Sequence, residues 1–198
     1  MVKQYPCWVF LVVGNVAIKK ITMSSKDMKE KTFFELLKKR RSIRSFKKNA
    51  VNSSILDKIL KACDLAPSSG GLQTFEIYQV KNKQKRKQLS AAAKDQTFVA
   101  QAPLLLVFCA NPSRSVERFG KRSELFSVQD ATIATAYAQL ATYVTGLSTV
   151  LVGNFDEKRV SEILNLPHGH GQLPYFQLDT RTKNHKKRAQ EDSRTFCI

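Results

Sequence analysis

Residues 103–110, PLLLVFCA, form an unbroken apolar run, and this run decides the class of fold. A strand buried on both faces of a sheet has this pattern, because neither row of its side chains meets water. Outward from the run, residues 75–80 and 149–153 are predicted as further strands, and residues 173–178 as a last one. The run therefore predicts a central sheet with protein on both of its faces.

Helical patterns stand between these strands. Thr32 and Glu35 have the spacing of a capping box, in which each side chain satisfies a backbone amide of the first turn, and this predicts a helix from Thr32 to about Arg40. Four more helices are predicted: from residue 53 or 54 until Pro67, over 85–93, over 125–145, and from Asp156 through 164. Strands and helices in this mixture, with no internal repeat, indicate an α/β or α+β fold.

The helix predicted over residues 125–145 differs from the others, because apolar and small residues lie almost all round it. This is typical of a helix that is enclosed by its own protein or by a partner subunit. Gly146 follows as a C-terminal capping residue. The segment therefore predicts a buried helix or a subunit interface.

The ends of the chain are more basic than its middle. The 198 residues include 33 Lys and Arg and 16 Asp and Glu, which gives a net charge of +17. The first 31 and the last 18 residues each hold six basic and two acidic residues. We predict that residues 1–30 form an N-terminal extension, disordered or outside the domain, that 31–178 form one domain, and that 179–198 form a disordered basic tail.

Several classes of function lose support. The apolar run over residues 6–18 is too short for a membrane span, which needs about 20 residues. The four cysteines form no CxxC pair and no zinc-like group with the three histidines, so we interpret them as free thiols in a reducing compartment, which favours a cytoplasmic location. GxGxxG, GxxxxGK[ST], HExxH and GxSxG motifs are absent. We expect no metal site.

Three segments carry residues suited to a ligand. Residues 40–44, RRSIR, combine three guanidinium groups and a hydroxyl, which can hold a phosphate; a solvated cationic turn is the alternative. Residues 66–73, APSSGGLQ, let backbone approach a planar ligand and offer donors and acceptors; an ordinary helix-to-strand loop is the alternative. Residues 146–156, GLSTVLVGNFD, contain a strand flanked by glycines, and the end of this strand can present a backbone N–H to a ligand.

Together and in this order, the three segments resemble the nitroreductase family of FMN-dependent oxidoreductases, over about residues 30–167. The family pattern is Arg-Arg-Ser-Ile-Arg-x-Phe, then Ala-Pro-Ser-(Ser/Ala)-x-Asn-x-Gln-Pro-Trp, and later Gly-Leu-(Gly/Ser) before a strand that contacts the flavin. Residues 40–46 match closely, 66–73 match with Gly71 where Asn is common, and 146–156 match in spacing. The resemblance implies an α+β fold, with a mixed central sheet covered by helices, in a homodimer.

The resemblance also implies roles for the matching residues. The positions that hold the FMN phosphate, ribityl chain and pyrimidine edge are Arg40, Arg41, Ser42 and Arg44. The loop that contacts the flavin from the other subunit contains Pro67, Ser68, Ser69, Gly71 and Gln73. The strand against the isoalloxazine, where a backbone N–H points toward N5, contains Leu151, Val152 and Gly153. No side chain is required as a nucleophile or base.

The implied function is a ping-pong oxidoreductase that moves hydride from NADH or NADPH, through FMN, to a nitro compound, a quinone or a similar planar acceptor. The same fold can also serve another reductive reaction, such as dehalogenation. A protein that binds nucleic acid through its basic ends is the alternative from another class, and only the net charge favours it, because helix-turn-helix and RNP signatures are absent. Nucleic acid is thus an unlikely partner, and no membrane is expected.

Overall fold

The computed structural model describes residues 8–15, 30–166, 171–172 and 177–178, with side chains described over 33–166. In the described parts of the chain, the strands and helices follow one another in the order β1 (Trp8–Asn15), α1 (Glu30–Lys39), α2 (Ser53–Asp64), β2 (Phe75–Val80), α3 (Lys83–Ala92), α4 (Thr97–Gln101), β3 (Leu104–Ala110), α5 (Val116–Phe119), α6 (Ser123–Val144), β4 (Leu147–Val152), α7 (Glu157–Leu164), β5 (Gly171–Gln172) and β6 (Gln177–Leu178).

These strands form one sheet in the order β2-β3-β1-β4-β6, and β5 pairs with the end of β3. Each pair of described strands is antiparallel, and a single bridge between Ser42 and Thr149 adds parallel pairing. The expected α+β fold is confirmed, with a sheet that is mixed only through this bridge.

β3 is the centre of the core, as its apolar run predicts. All seven of its residues are buried, and Leu105, Leu106 and Phe108 have no exposed surface. Burying one such side chain contributes roughly 1.5–3 kcal/mol relative to leaving it in water. The same apolar cluster includes buried residues of α2, α3, α4, α6 and α7, so these helices share one core with the sheet.

β1 lies in the middle of the sheet, although the sequence assigns its residues to an extension outside the domain. Its residue Phe10 is in register with Val107 of β3 and with Val152 of β4. The predicted boundary at residue 30 is therefore wrong for these eight residues. A short apolar run does not reveal its strand partners when they lie far along the chain, so the sequence pattern could not assign this strand to the sheet.

The helix limits differ from prediction mainly at their first residues. α1 begins at Glu30, so Thr32 lies inside the helix and the predicted capping box is wrong. α2 begins at Ser53 as predicted, because the side chain of Asn52 accepts a hydrogen bond from the Ser54 amide at 2.8 Å. The short helices α4 and α5 were not predicted, since four or five residues carry too little periodicity.

α6 has two contrasting faces. The face toward the core consists of small residues, such as Ala131, Ala134 and Ala138, none of which is exposed. The larger apolar side chains of Leu125 and Val144 point outward and are 55% and 68% exposed. Among the described residues, the helix is thus enclosed on its small-residue face and open on the face of Leu125 and Val144.

Deletion of residues 1–15 will abolish the cooperative thermal unfolding transition, which circular dichroism can follow. Without β1, the facing edges of β3 and β4 lose their backbone partners, and unpaired edges promote aggregation. Deletion of residues 179–198, the predicted basic tail, is the control and should leave the transition in place. A protein without residues 1–15 that keeps the melting temperature of the full chain would contradict the assignment of β1 to the core.

Candidate functional site

The basic segment 40–44 follows α1 and lies beside β4. The amide of Ile43 donates to the carbonyl of Thr149 at 3.3 Å, and Ser42 forms the parallel bridge with the same residue. The Ile43 side chain is buried and anchors the segment, whereas Ser42 and Arg44 are exposed. Two of the three segments that sequence analysis selected, 40–44 and 146–156, are therefore brought together.

Arg40 holds a buried donor that no described residue satisfies. Its side chain is partly buried, and its Nη1 atom has no hydrogen-bond partner among the described residues. Burial, and then the like charge of Arg41, lower the pKa of the Arg40 guanidinium. The Oγ1 atom of Thr149 is also buried without a described partner. An unpaired buried donor costs roughly 1–3 kcal/mol, and an anion bound here would remove that cost.

Arg41 has a structural role of its own. Its Nη1 donates to the carbonyls of Lys38 and Arg40, the latter at 2.8 Å. These carbonyls lie at the end of α1, where backbone acceptors lack helical partners. Arg41 therefore caps the helix, which the sequence pattern did not distinguish from a ligand contact.

β4 presents one exposed side chain near its end. Leu151 is 43% exposed, while Val150 and Val152 on either side are buried. Gly153 and Asn154 follow, and both are exposed. The structure therefore leaves one apolar side chain and accessible backbone at the end of the strand that pairs with the basic segment, where a planar ligand could pack.

The third segment is the loop between α2 and β2, which contains a 3₁₀ turn over Ser69–Gly71. Gly71 has a φ of +73°, a left-handed conformation that Gly adopts freely and that Asn tolerates better than most residues. The conformation of Gly71 is thus one that an Asn, the residue common in the family pattern, would also tolerate. Gly70 has a close neighbour, since a Cβ there would lie 2.9 Å from Nη1 of Arg118.

The loop is held by contacts within this chain. The Oγ of Ser68 accepts from the amide of Gln73 at 3.0 Å, and Nε2 of Gln73 donates to the carbonyl of Asp64 at 2.7 Å. Two arginines from the segment before α6 also reach the loop: Nη1 of Arg114 donates to the Gln73 carbonyl at 2.9 Å and Nη1 of Arg118 to the Gly70 carbonyl at 3.3 Å. These bonds give Ser68 and Gln73 a role in loop shape.

A shallow depression of about 530 Å³ opens between this loop and α6. Pro67, Ser68 and Ser69 line it from the loop side, and Val128, Gln129 and Ile133 line it from the helix. Asp130 lies between these walls and accepts hydrogen bonds from Ser69. Sequence analysis gave no site role to Asp130, Arg114 or Arg118, because each of them contacts residues more than 40 positions away.

The two described cysteines agree with their interpretation as small buried residues. Cys63 and Cys109 are unpaired and fully buried. Burial, and then the charge of Asp64, raise the pKa of Cys63 to about 12, so this thiol is not a nucleophile at neutral pH. Over the described residues no three His, Cys, Asp or Glu side chains are grouped to hold a metal ion, and no helix has the length and apolar character to cross a membrane.

Comparison with known proteins now identifies the family. A model described as "Nitroreductase family" matches residues 37–101 and 90–176, which together make up more than half of the chain. The chain belongs to the nitroreductase family. The match includes all three segments of the candidate site and begins after β1, which lies outside it.

Individual relatives agree with this assignment. The chain is 34% identical over 141 residues to an "FMN reductase" of Bacillus subtilis, a match covering 64% of this chain and 57% of that protein. It is 30% identical over 164 residues to an "NADH dehydrogenase" of Thermus thermophilus, with coverage of 69% and 80%. The chain thus spans little more than half the length of the first relative.

Solved structures give the same fold. NfrA2 of B. megaterium is 30% identical with a TM-score of 0.72, and the match covers 79% of this chain and 69% of that one. An "FMN-dependent Nitroreductase" of Clostridium difficile is 31% identical with a TM-score of 0.67, covering 80% of this chain and 92% of that one. The assignment of individual residues to FMN stays a prediction.

Substitution of Arg40 and Arg41 by Met will shift the stability of the FMN-free protein in opposite directions. Arg40→Met removes a buried unpaired donor and should raise the free energy of unfolding by about 1 kcal/mol, which raises the melting temperature by roughly 2–4 °C. Arg41→Met removes the cap of α1 and should lower it by about 2 °C. Differential scanning fluorimetry measures both melting temperatures. An equal fall in the two variants would contradict the conclusion that Arg40 holds an unpaired buried donor.

Proposed function

We propose that the protein is an FMN-dependent oxidoreductase that takes hydride from NADH or NADPH and passes electrons to a nitro compound, a quinone or a similar planar acceptor. The observation that carries this proposal is the buried, unpaired Nη1 atom of Arg40 in a basic segment that pairs with β4, the strand that exposes Leu151. A cation in need of an anion and an exposed apolar side chain on the neighbouring strand match the phosphate and the ring system of a flavin. The printed names of the relatives, an "FMN reductase" and an "FMN-dependent Nitroreductase", point the same way.

Within this proposal, each part of the site has a task. Arg40 and Arg44 would hold the phosphate and the polar chain of FMN by charge-assisted hydrogen bonds, together with the donors of Arg41 other than Nη1, which caps α1. Leu151 would pack against the ring system and exclude water from it, and the exposed backbone at Gly153 would offer an N–H to the ring nitrogen. Bound FMN supplies the hydride chemistry itself.

The positive charge of the segment 40–44 has a second effect. Reduction leaves negative charge on the pyrimidine side of a flavin, and a nearby cation stabilises that charge. The segment therefore favours the reduced cofactor as well as binding. In this proposal protein side chains bind, orient and neutralise charge, and none forms a covalent bond with substrate.

We propose further that two copies of the chain form the active unit. The loop 67–73 makes its described contacts with α2, α6 and the segment before α6, whereas the basic segment lies beside β4. A partner's loop can complete the half-site of β4. The surface offered to a partner consists of exposed apolar residues on the neighbouring helices α1 and α6, namely Phe33, Phe34, Leu37, Leu125, Tyr137 and Val144.

The unpaired buried cysteines also favour a reducing compartment, and we propose a cytoplasmic location on this ground. A second copy, a nicotinamide dinucleotide and a planar electron acceptor are then the proposed partners.

The purified protein should bind FMN, and its absorbance near 450 nm (roughly the usual flavin band) should bleach when NADH or NADPH is added without oxygen. Arg40→Met, Arg41→Ala and Arg44→Ala should each weaken FMN binding by about one to two decades, because each removes a charge-assisted hydrogen bond of roughly 1.5–3 kcal/mol. Fluorescence quenching of FMN during titration measures the affinity.

Lys48→Ala is the matched control, since it removes an exposed cation just beyond the segment and should leave FMN affinity unchanged. Equal affinity in wild type and all three arginine variants would contradict the proposed phosphate site. A colourless protein that binds DNA with a steep dependence on salt would instead support the nucleic-acid alternative.

The dimer makes a separate prediction. Sedimentation velocity at micromolar concentration should give a single species near twice the 22.4 kDa chain mass. Val144→Asp should shift this species toward the monomer, because it places a charge in an interface that buries upward of about 2,000 Å² if the dimer is obligate.

FMN should dissociate in parallel with the subunits in the Val144→Asp variant, because each site needs both copies. Gln88→Glu adds the same charge on an exposed position of α3, which packs against α4 and α7 rather than α6, and should leave the dimer intact. A wild-type monomer that binds one FMN per chain would contradict the shared site while leaving the flavin assignment in place.

A further inference from the structure

Asp130 is a buried carboxylate that joins α6 to both ends of the loop before β2. It is 1% exposed and lies in the middle of the helix. Its Oδ1 accepts from the amide of Ser69 at 2.8 Å and from the Ser69 hydroxyl at 2.9 Å. Its Oδ2 accepts from the Thr74 hydroxyl at 2.6 Å, and the Thr74 amide lies within 3.4 Å of the same oxygen.

All four partners are donors, and this selects a carboxylate. An ionised Asp is purely an acceptor, with two oxygens that can each take two hydrogen bonds. Asn has the same shape, but its NH₂ group would face the amide of either Ser69 or Thr74, two donors opposed in a buried site. The geometry therefore uses the negative charge of Asp130, whose burial is offset by these bonds.

The residues between the two anchor points need such a restraint. Gly70, Gly71 and Gln73 all have positive φ, with values of 63°, 73° and 46°. A chain with two adjacent glycines has many other conformations, and fixing one of them costs entropy. Asp130 fixes Ser69 at the start and Thr74 at the end, and the side chain of Thr74 is completely buried.

We propose that Asp130 is a positioning residue for the flavin: it holds residues 69–74 in the conformation that the loop presents to the bound ring system. The inference rests on the proposed function, and it adds a residue to the site that acts through the loop rather than by contact. The same carboxylate lines the depression between the loop residues Ser68 and Ser69 and α6. One group therefore fixes the position of the loop relative to the helix face beside it.

The alternative is that Asp130 only ties α6 to the sheet and affects stability alone. The two roles predict different results in the FMN-free protein and in the complex. A positioning residue changes the dynamics of residues 69–74, the affinity for FMN and the visible circular dichroism of the bound flavin. A purely structural residue lowers the melting temperature and leaves these three properties as they are.

The test compares Asp130→Asn and Thr74→Val with Thr135→Val. Thr135 lies on the same helix, is equally buried, and donates to the Ala131 carbonyl at 2.6 Å without reaching the loop. Hydrogen exchange of the amides of residues 69–74 should accelerate about tenfold or more in Asp130→Asn and stay unchanged in the control. FMN affinity should fall about tenfold in Asp130→Asn and severalfold in Thr74→Val, and the visible circular dichroism at saturating FMN should change in both.

Thr74→Val keeps the proposal testable if Asp130→Asn does not fold, since it removes one hydroxyl and preserves side-chain shape. If wild type binds FMN and both variants match Thr135→Val in exchange, affinity and spectrum, Asp130 is structural and the inference is overturned alone. If wild type itself binds no FMN, the proposed function fails and the flavin role of Asp130 fails with it. Faster loop exchange with weaker FMN binding, absent from the control, supports the inference.

Discussion

The structure depends on excluding water from both faces of β3 and on pairing both of its edges with other strands. A strand without exposed surface cannot give its amides and carbonyls to water, so it needs a neighbour on each side. β2 supplies one neighbour and β1 the other, and five helices contribute to the shared apolar core. The position of β4, and therefore of the candidate site beside it, follows from this requirement, because β4 pairs with the far edge of β1.

Sequence patterns predicted the elements whose signals are local. The apolar run of β3, the face of α2 that contains Ile59 and Cys63, and the start of α7 after Asp156 all involve residues within a few positions of each other. β1 was not predicted as part of the sheet, because its strand partners lie 91 to 142 positions away. The first residues of α1 were misjudged because Thr32 and Glu35 fit a cap equally well when they stand inside a helix.

The residues of the site divide in the same way, into those with a local sequence signal and those without one. Residues 40–44 and 151–153 carry recognisable chemistry, and the structure brings these segments together along β4. The sequence could not show that two neighbouring arginines have different roles. Arg41 donates hydrogen bonds to carbonyls at the end of α1, whereas Nη1 of Arg40 is buried without a described partner. Asp130 was missed for a different reason, because a single carboxylate in a helix has no motif until its distant partners are known.

The central place of β1 also sets the order of events during synthesis. The ribosome makes residues 8–15 before the other described strands, but their two strand partners are complete only when residue 152 has emerged. A contact of such long sequence separation forms late and slowly, and until then an apolar segment and two strand edges remain open to other chains. β1 thus precedes the other described strands in the chain, but its pairing is complete only after β4 has been made.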